Sequence, residues 1–119
     1  MAEDAIVDGT AEETAPCCAP SGDVDPDAMA TDLQILTAIG NDTRYELLRR
    51  IANADDGVCV CDLEAAVGVS QSAVSQALSR LYTAQLVTRR KEGSWRYYEA
   101  TETTSALLET LDDLRGSYE

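Results

Sequence analysis

The chain has 119 residues, of which 45% are hydrophobic, and a net charge of −13 at neutral pH. This length and composition predict one globular domain and exclude a largely disordered protein. The N-terminus is acidic and has no apolar run, so we predict neither a signal peptide nor a membrane span. We expect a cytoplasmic protein whose thiols are reduced.

The acidic residues are unevenly distributed along the chain. Residues 1–32 contain nine acidic side chains and no basic one, whereas residues 33–99 contain eight of each. Residues 65–91 contain no acid at all and four bases, which are Arg80, Arg89, Arg90 and Lys91. Because a local basic surface matters more than total charge for binding phosphate, the net charge does not exclude a nucleic-acid partner.

The balance of acids to bases is 22 to 9, and only one of the bases is a lysine. This composition resembles that of proteins from salt-loving archaea, in which concentrated salt screens the repulsion between acidic groups. The alternative is an ordinary acidic protein with acidic tails.

Residues 1–26 are aperiodic and rich in Asp, Ala and Pro, which predicts a disordered acidic arm holding Cys17 and Cys18. Residues 27–119 form the predicted domain. A first helix from Asp27 ends at Gly40, and its apolar stripe is Met29, Leu33, Leu36 and Ile39. A second helix follows a cap at Asn41 or Asp42, and its apolar stripe is Leu47, Leu48 and Ile51.

A short helix near Asp62–Val67, a break at Gly68 and a helix from Ser70 to about Ala84 predict a helix-turn-helix. Strands at 86–91 and 94–99 predict a hairpin around Glu92 and Gly93. A last helix from about Thr103 has the apolar stripe Leu107, Leu111, Leu114 and Tyr118. The predicted fold is mostly α with a small β-hairpin, in the order α-α-α-α-β-β-α.

The second helix of the helix-turn-helix has a polar face suited to DNA. Small hydroxyls and amides fit a major groove and bond to base edges, and basic side chains on the hairpin can hold phosphates. The predicted DNA-binding residues are Gln71, Ser72, Ser75, Gln76, Arg80, Arg89, Arg90, Lys91 and Arg96. The alternative is a solvated helix face and a charged edge that prevents strand pairing.

Cys59 and Cys61 form a candidate ion site. Two residues apart on a helix, side chains point about 200° away from each other, so both thiols can share an ion only where the chain is extended or unwound. The chain contains no His, which excludes imidazole sites and favours soft thiophilic ions. Without His, a nucleophile–base pair or a phosphate loop, we do not expect an enzyme.

Four segments together resemble the ArsR/SmtB family of repressors, in its arsenical-resistance type. They are LTAIGNDTR (36–44), VCVCDL (58–63), SQSAVSQALSRL (70–81) and LVTRRKEG with WRYY (86–93 and 95–98). The resemblance implies a winged helix-turn-helix homodimer, built on its first and last helices, that binds double-stranded operator DNA. It also implies release when an ion binds, here As(III) or Sb(III) on cysteine thiolates, with no obligatory cofactor.

One departure from the family leaves the ion site open. Arsenic-sensing members can have a third Cys three residues after the box, where this chain has Glu64. Cys17 or Cys18 of the arm is a candidate third ligand, as in the cadmium- and lead-sensing members; otherwise the pair is incidental. A sensor of Cd(II), Pb(II) or Bi(III), a thiol redox switch, and a module that binds a basic protein remain alternatives.

The composition generates a test of salt dependence. We expect the melting temperature and the dimer fraction to rise with KCl up to molar concentration, because screening relieves the repulsion among the excess acids. Calorimetry and sedimentation across a KCl series measure both quantities. Maximal thermal stability in dilute buffer would contradict the halophilic interpretation.

Overall fold

The computed structural model describes residues 22–117, in which five helices and three strands follow one another in the predicted order with one strand added. The elements are α1 Pro26–Ile39, α2 Asp42–Ala52, β1 Val58–Cys59, α3 Val60–Val67, α4 Gln71–Thr83, β2 Val87–Glu92, β3 Trp95–Ala100 and α5 Glu102–Ser117. The predicted fold class is confirmed. The arm with Cys17 and Cys18 lies outside the described residues, except for its last five positions.

Helices α3 and α4 form the predicted helix-turn-helix. Gly68 ends α3 with a φ of 75°, a conformation that glycine adopts without steric cost. The Ser70 hydroxyl then accepts a hydrogen bond from the Ala73 amide at 3.1 Å and so caps α4. The predicted apolar stripe of α4 is buried, at Val74, Ala77, Leu78 and Leu81.

The hairpin belongs to a three-stranded antiparallel sheet in the order β1-β3-β2. Strands β2 and β3 pair from Val87 opposite Ala100 to Glu92 opposite Trp95, around a turn that contains Gly93 with a φ of 63°. Strand β1 was not predicted. It has two residues, which is too short for an alternating pattern, and it exists only because β3 supplies the backbone partners.

The core lies around α2. Leu47, Leu48 and Ile51 are completely buried, as their spacing predicted. They pack in one cluster with residues of α3, α4 and the sheet, including Leu63, Leu78, Leu81, Leu86 and Tyr98.

Two predicted stripes are only partly in contact with this core, through Ile39 of α1 and Leu107 of α5. On α1, Met29, Leu33 and Leu36 are 48–57% exposed, and only Ala38 is fully buried. On α5, Leu114 is exposed, and Thr104 and Leu108 are the buried residues; Tyr118 lies outside the described residues. Helical spacing predicted the stripes correctly, but it cannot tell which surface a stripe meets.

An ion pair joins α5 to α2. Arg49 of α2 donates to Asp112 of α5 at 2.8 Å and to the Tyr45 hydroxyl at 2.7 Å. The pKa of Asp112 lies below its ordinary value, chiefly because it accepts this hydrogen bond from Arg49 and a second one from Arg115. The pair is solvent-exposed, so it orients α5 more than it stabilises the fold.

Two glycines with positive φ allow a matched test of the fold. At Gly57 (φ +94°), an added Cβ would lie 3.3 Å from the Tyr98 carbonyl oxygen and 3.2 Å from Arg90, whereas at Gly68 (φ +75°) it would meet nothing within 4 Å. Gly68→Ala should cost about 1–2 kcal/mol from backbone strain alone. Gly57→Ala should cost about 1 kcal/mol more, because the backbone carbonyl cannot move away. Urea unfolding measures both; equal losses would contradict this.

Candidate DNA interface and thiol pair

The exposed face of α4 presents the predicted base-reading side chains. Gln71, Ser72, Ser75 and Gln76 are all exposed, opposite the buried stripe. A cleft of about 440 Å³ on one side of the helix is lined by Gln71, Ser72 and Ser75 together with Arg96 of β3 and Glu64 of α3. On the other side, a cleft of about 480 Å³ is lined by Gln76, Ser79 and Arg80 together with Asn41 and Thr43. The polar face of α4 therefore forms one surface with the hairpin and with the start of α2.

The strand register divides the basic side chains between the two faces of the hairpin. Arg89 pairs with Tyr98, and Lys91 pairs with Arg96. Because Tyr98 is buried among the helices, these three cations lie on the face that is turned toward α4. The Arg89 guanidinium lies 3.9 Å from the Tyr82 ring of α4, which fixes the hairpin against that helix.

Within residues 22–117, Arg80, Arg89, Lys91 and Arg96 form no ion pair. Their charges therefore remain available to an external anion. This set contains four of the five predicted basic DNA contacts.

Arg90, the fifth, lies on the opposite face and is engaged within the protein. Its guanidinium donates to Glu92 at 2.8 Å and to the Asp56 carbonyl oxygen at 2.9 Å, and it lies 3.5 Å from Glu99. The hydrogen bond to Glu92 is the main reason that the pKa of Arg90 is raised. The sequence predicted a DNA contact for Arg90. That contact stays a prediction, and within the protein Arg90 holds the loop before β1 through the Asp56 carbonyl oxygen.

Three polar residues that line these clefts were not predicted as contacts. Thr43 and Asn41 begin α2 beside Arg80, and the Asn41 side chain also accepts from the Arg44 amide at 3.0 Å. Glu64 places a carboxylate beside Ser72 and Arg96. The sequence offered no signal that these three residues lie beside α4, since their positions depend on how α2 and α3 pack against α4.

The two thiols of the box are in contact. Cys59 ends β1 and is buried, Cys61 lies in the first turn of α3 and is exposed, and their sulfurs are 2.7 Å apart. The sequence predicted that both thiols meet only where the chain is extended or unwound, and Cys59 meets the first of these conditions. Cys59 is the N-cap residue with an extended backbone (φ −69°, ψ 139°), so its side chain does not follow the helical rotation. The junction of strand and helix therefore puts both sulfurs on one side.

The contact also affects protonation. The pKa of the Cys61 thiol is raised, chiefly by its hydrogen bond with Cys59. Sulfurs that share one ion at about 2.3 Å each lie roughly 3.5 Å apart, so the pair fits an ion after a small outward movement. Within residues 22–117, no group of three or more potential ligands is assembled. The described residues thus supply two thiols, and the predicted ligands Cys17 and Cys18 lie outside them.

The thiol pair lies on the sheet as well as on the helix-turn-helix. In the register of β1 with β3, Cys59 is opposite Tyr97, two residues from the start of β3 at Trp95. The same site therefore contacts the hairpin through a backbone ladder and α4 through α3.

No helix within the described part of the chain is long and apolar enough to cross a membrane.

Known proteins resemble the chain over most or all of its length. It is 80% identical over 119 residues, covering 100% of both chains, to a Halobacterium salinarum protein named as an arsenical resistance operon repressor, ArsR2. It is 43% identical over 88 residues, covering 74% of this chain and 68% of the relative, to a protein of the same organism named as the arsenical resistance operon repressor ArsR.

Solved structures share the fold. NolR from Sinorhizobium fredii superposes with a TM-score of 0.71 at 27% identity, covering 81% of this chain and 98% of that one. HlyU from Vibrio cholerae superposes with a TM-score of 0.67 at 30% identity, covering 76% and 97%. The Halobacterium relatives are named as repressors and the matching family as regulatory proteins, in agreement with the prediction that this chain is not an enzyme.

A family profile described as "Bacterial regulatory protein, arsR family" matches residues 41–89, which run from the cap of α2 through the helix-turn-helix into β2. Together with the full-length identity to the Halobacterium protein, this match shows that the chain belongs to the ArsR family of transcriptional repressors, in its haloarchaeal arsenical-resistance type.

Proposed function

We propose that the protein represses transcription by binding operator DNA as a homodimer, and that it leaves the DNA when As(III) or Sb(III) binds to Cys59 and Cys61. The observation that carries this proposal is the 2.7 Å contact between the two sulfurs at the start of the helix-turn-helix. An ion bound there touches the element that positions the recognition helix α4.

The surface around α4 supports DNA binding. Its N-terminal turn carries exposed Gln71 and Ser72 and no acidic residue, so the positive end of the helix dipole is not neutralised. Recognition helices read base edges with this end. Lys91 and Arg96, on the face of the hairpin toward α4, are placed to hold the flanking phosphates.

The exposed apolar side chains of α1 and α5 support a homodimer. Leu36 and Leu114 line a groove of about 610 Å³ together with Ile39, Tyr45 and Leu111. Exposed apolar patches of this kind mark interfaces in soluble proteins. A two-fold dimer would present two copies of α4 to a palindromic site, as operators of helix-turn-helix proteins require.

The protonation of the thiols favours arsenic over a divalent cation. In neutral water As(III) is uncharged arsenous acid. Each thiol that condenses with it forms one S–As bond, breaks one As–O bond and releases one water, so no net proton is exchanged. Cd(II) or Pb(II) must instead displace the thiol protons. The names of the Halobacterium relatives also point to arsenical resistance.

The position of the thiol pair gives an ion two ways to weaken DNA binding. Moving the sulfurs apart displaces the first turn of α3, and α4 follows through the short turn at Gly68. The same movement pulls on β1, whose partner β3 carries Arg96. The distance between α4 and Arg96, the two parts of the DNA-binding surface, would then change. This is a local event that biases a two-state element.

The recognition helix can be tested by a double substitution. Ser75→Ala with Gln76→Ala should abolish specific binding and leave the fold intact, because each lost base contact costs about 1–3 kcal/mol. A gel shift on the DNA upstream of the protein's own gene measures binding, and circular dichroism measures folding. Ser105→Ala, an exposed change on α5, is the control. Normal binding by the double variant would show that α4 does not read the operator.

The thiols can be tested by release of DNA. Cys59→Ser or Cys61→Ser should bind DNA normally but resist arsenite concentrations that release the parent protein completely. Cys17→Ser with Cys18→Ser should weaken the response if the arm supplies a third thiolate, and change nothing otherwise. Full release of the Cys59→Ser protein would contradict the mechanism.

Calorimetric titration in buffers of different ionisation enthalpy identifies the ion, because arsenite should exchange no net proton and cadmium should release protons. Mass spectrometry after mild oxidation separates ion sensing from the redox alternative. A disulfide that forms and releases DNA without any ion would favour the redox switch.

A further inference from the structure

The wing, defined here as β2, β3 and the turn between them, shares a row of side chains with the strand of the thiol pair. Arg90 of β2 lies opposite Tyr97 of β3, and Tyr97 lies opposite Cys59 of β1. Because residues that are opposite each other in a sheet point to the same face, these three side chains form one row across all three strands. The row connects one of the two thiols to the wing.

The Arg90 guanidinium reaches across β3 to the chain that enters β1. It donates to the carbonyl oxygen of Asp56, two residues before β1, at 2.9 Å. It lies 5.2 Å from the centre of the Tyr97 ring. Glu92 at 2.8 Å and Glu99 at 3.5 Å hold its other nitrogens, so its orientation is fixed. We call Arg90 with its contacts to Asp56 and Glu92 the Arg90 clamp.

The backbone pairing of β1 is short. Its two residues pair with Tyr97 and Tyr98 of β3, and each backbone hydrogen bond adds only modest net stability. The Arg90 clamp adds a bond from β2 to the same segment. Gly57, directly before β1, packs closely against it, because an added Cβ there would lie 3.2 Å from the Arg90 guanidinium. A displacement of β1 must therefore either break the clamp or move β2.

We propose that Arg90 is a positioning residue, which transmits the binding of an ion at the thiol pair to the wing. The proposal rests on the proposed function, since it needs an ion at Cys59 and Cys61 that releases DNA. When the sulfurs move apart, the Arg90 clamp makes β2 follow β1, so that β1 does not simply separate from β3. Arg89 and Lys91, on the face of β2 toward α4, then move relative to the recognition helix.

The proposal is tested by a coupling factor, defined as the affinity for DNA without arsenite divided by the affinity at saturating arsenite. A change in DNA affinity that is common to both states cancels in this ratio, so the factor measures transmission and not the strength of binding. Fluorescence anisotropy of a labelled duplex from upstream of the protein's own gene measures both affinities. DNA must lower the affinity for arsenite by the same factor, which calorimetry with sodium arsenite measures independently.

A conservative substitution separates the geometry of the clamp from its charge. Arg90→Lys keeps the positive charge, but an ammonium cannot replace the planar fork that holds Asp56 and Glu92 together. The coupling factor should fall about fivefold, a size found for substitutions between coupled sites. Arg50→Lys is the matched control, because Arg50 is similarly exposed and bonds to Glu46 of its own helix at 2.9 Å. Its coupling factor should equal that of the parent.

The outcomes distinguish the clamp from a direct contact with DNA. An unchanged coupling factor in Arg90→Lys would overturn the proposal, and so would an equal fall in Arg50→Lys. Arg90→Gln removes the charge as well. If it lowers the slope of log affinity against log salt by about one but keeps the coupling factor of the parent, Arg90 contacts a phosphate and the proposal is wrong. If arsenite does not bind the parent protein, or binds without weakening its affinity for DNA, the proposed function fails and the proposal fails with it.

Discussion

The burial of α2 is the constraint on which the other elements depend. Its side chains Leu47, Leu48 and Ile51 are excluded from water, and α2 contacts the four other helices and β3. Each fully buried side chain of this kind contributes about 1.5–3 kcal/mol. The recognition helix and the wing are thus held relative to each other through one apolar core, and not through surface ion pairs, which are weak and screened by salt.

Because the apolar core holds these elements together, the surface charges are free to be arranged for function. Residues 65–91 are free of acids, so α4 and the first five residues of β2 carry no carboxylate. Where carboxylates do occur on the wing, at Glu92 and Glu99, they surround Arg90 on the face away from α4. The register of the sheet therefore gives a single hairpin two different faces. The face toward α4 is cationic, and on the face away from α4 the charge of Arg90 is neutralised.

The thiol pair lies at the junction of β1 and α3. Cys59 belongs to the sheet and Cys61 to α3, so the distance between the two sulfurs depends on the angle between the sheet and α3. A site within one helix would deform only that helix. A site at a junction changes how two packed elements are arranged, and packed elements have discrete arrangements rather than a continuous range.

The sequence by itself determined the helix-turn-helix, its caps and its polar face. Those features depend on local rules: a 3.6-residue period, a glycine with positive φ at Gly68 and a hydroxyl cap at Ser70. It also determined that Cys59 and Cys61 are the candidate ligands, from residue type and the absence of His.

Only the tertiary structure decided where the local elements meet. Strand β1 exists because β3 lies beside it, and the packing of α1 and α5 leaves Leu33, Leu36 and Leu114 exposed. The pleat of β2 puts Arg90 on the opposite face from its neighbours Arg89 and Lys91. There it lies near Glu92 and Glu99. The thiols touch without unwinding because Cys59 stands just outside the helix. Each of these outcomes depends on partners distant in sequence, and a periodic pattern contains no information about which partner an element will find.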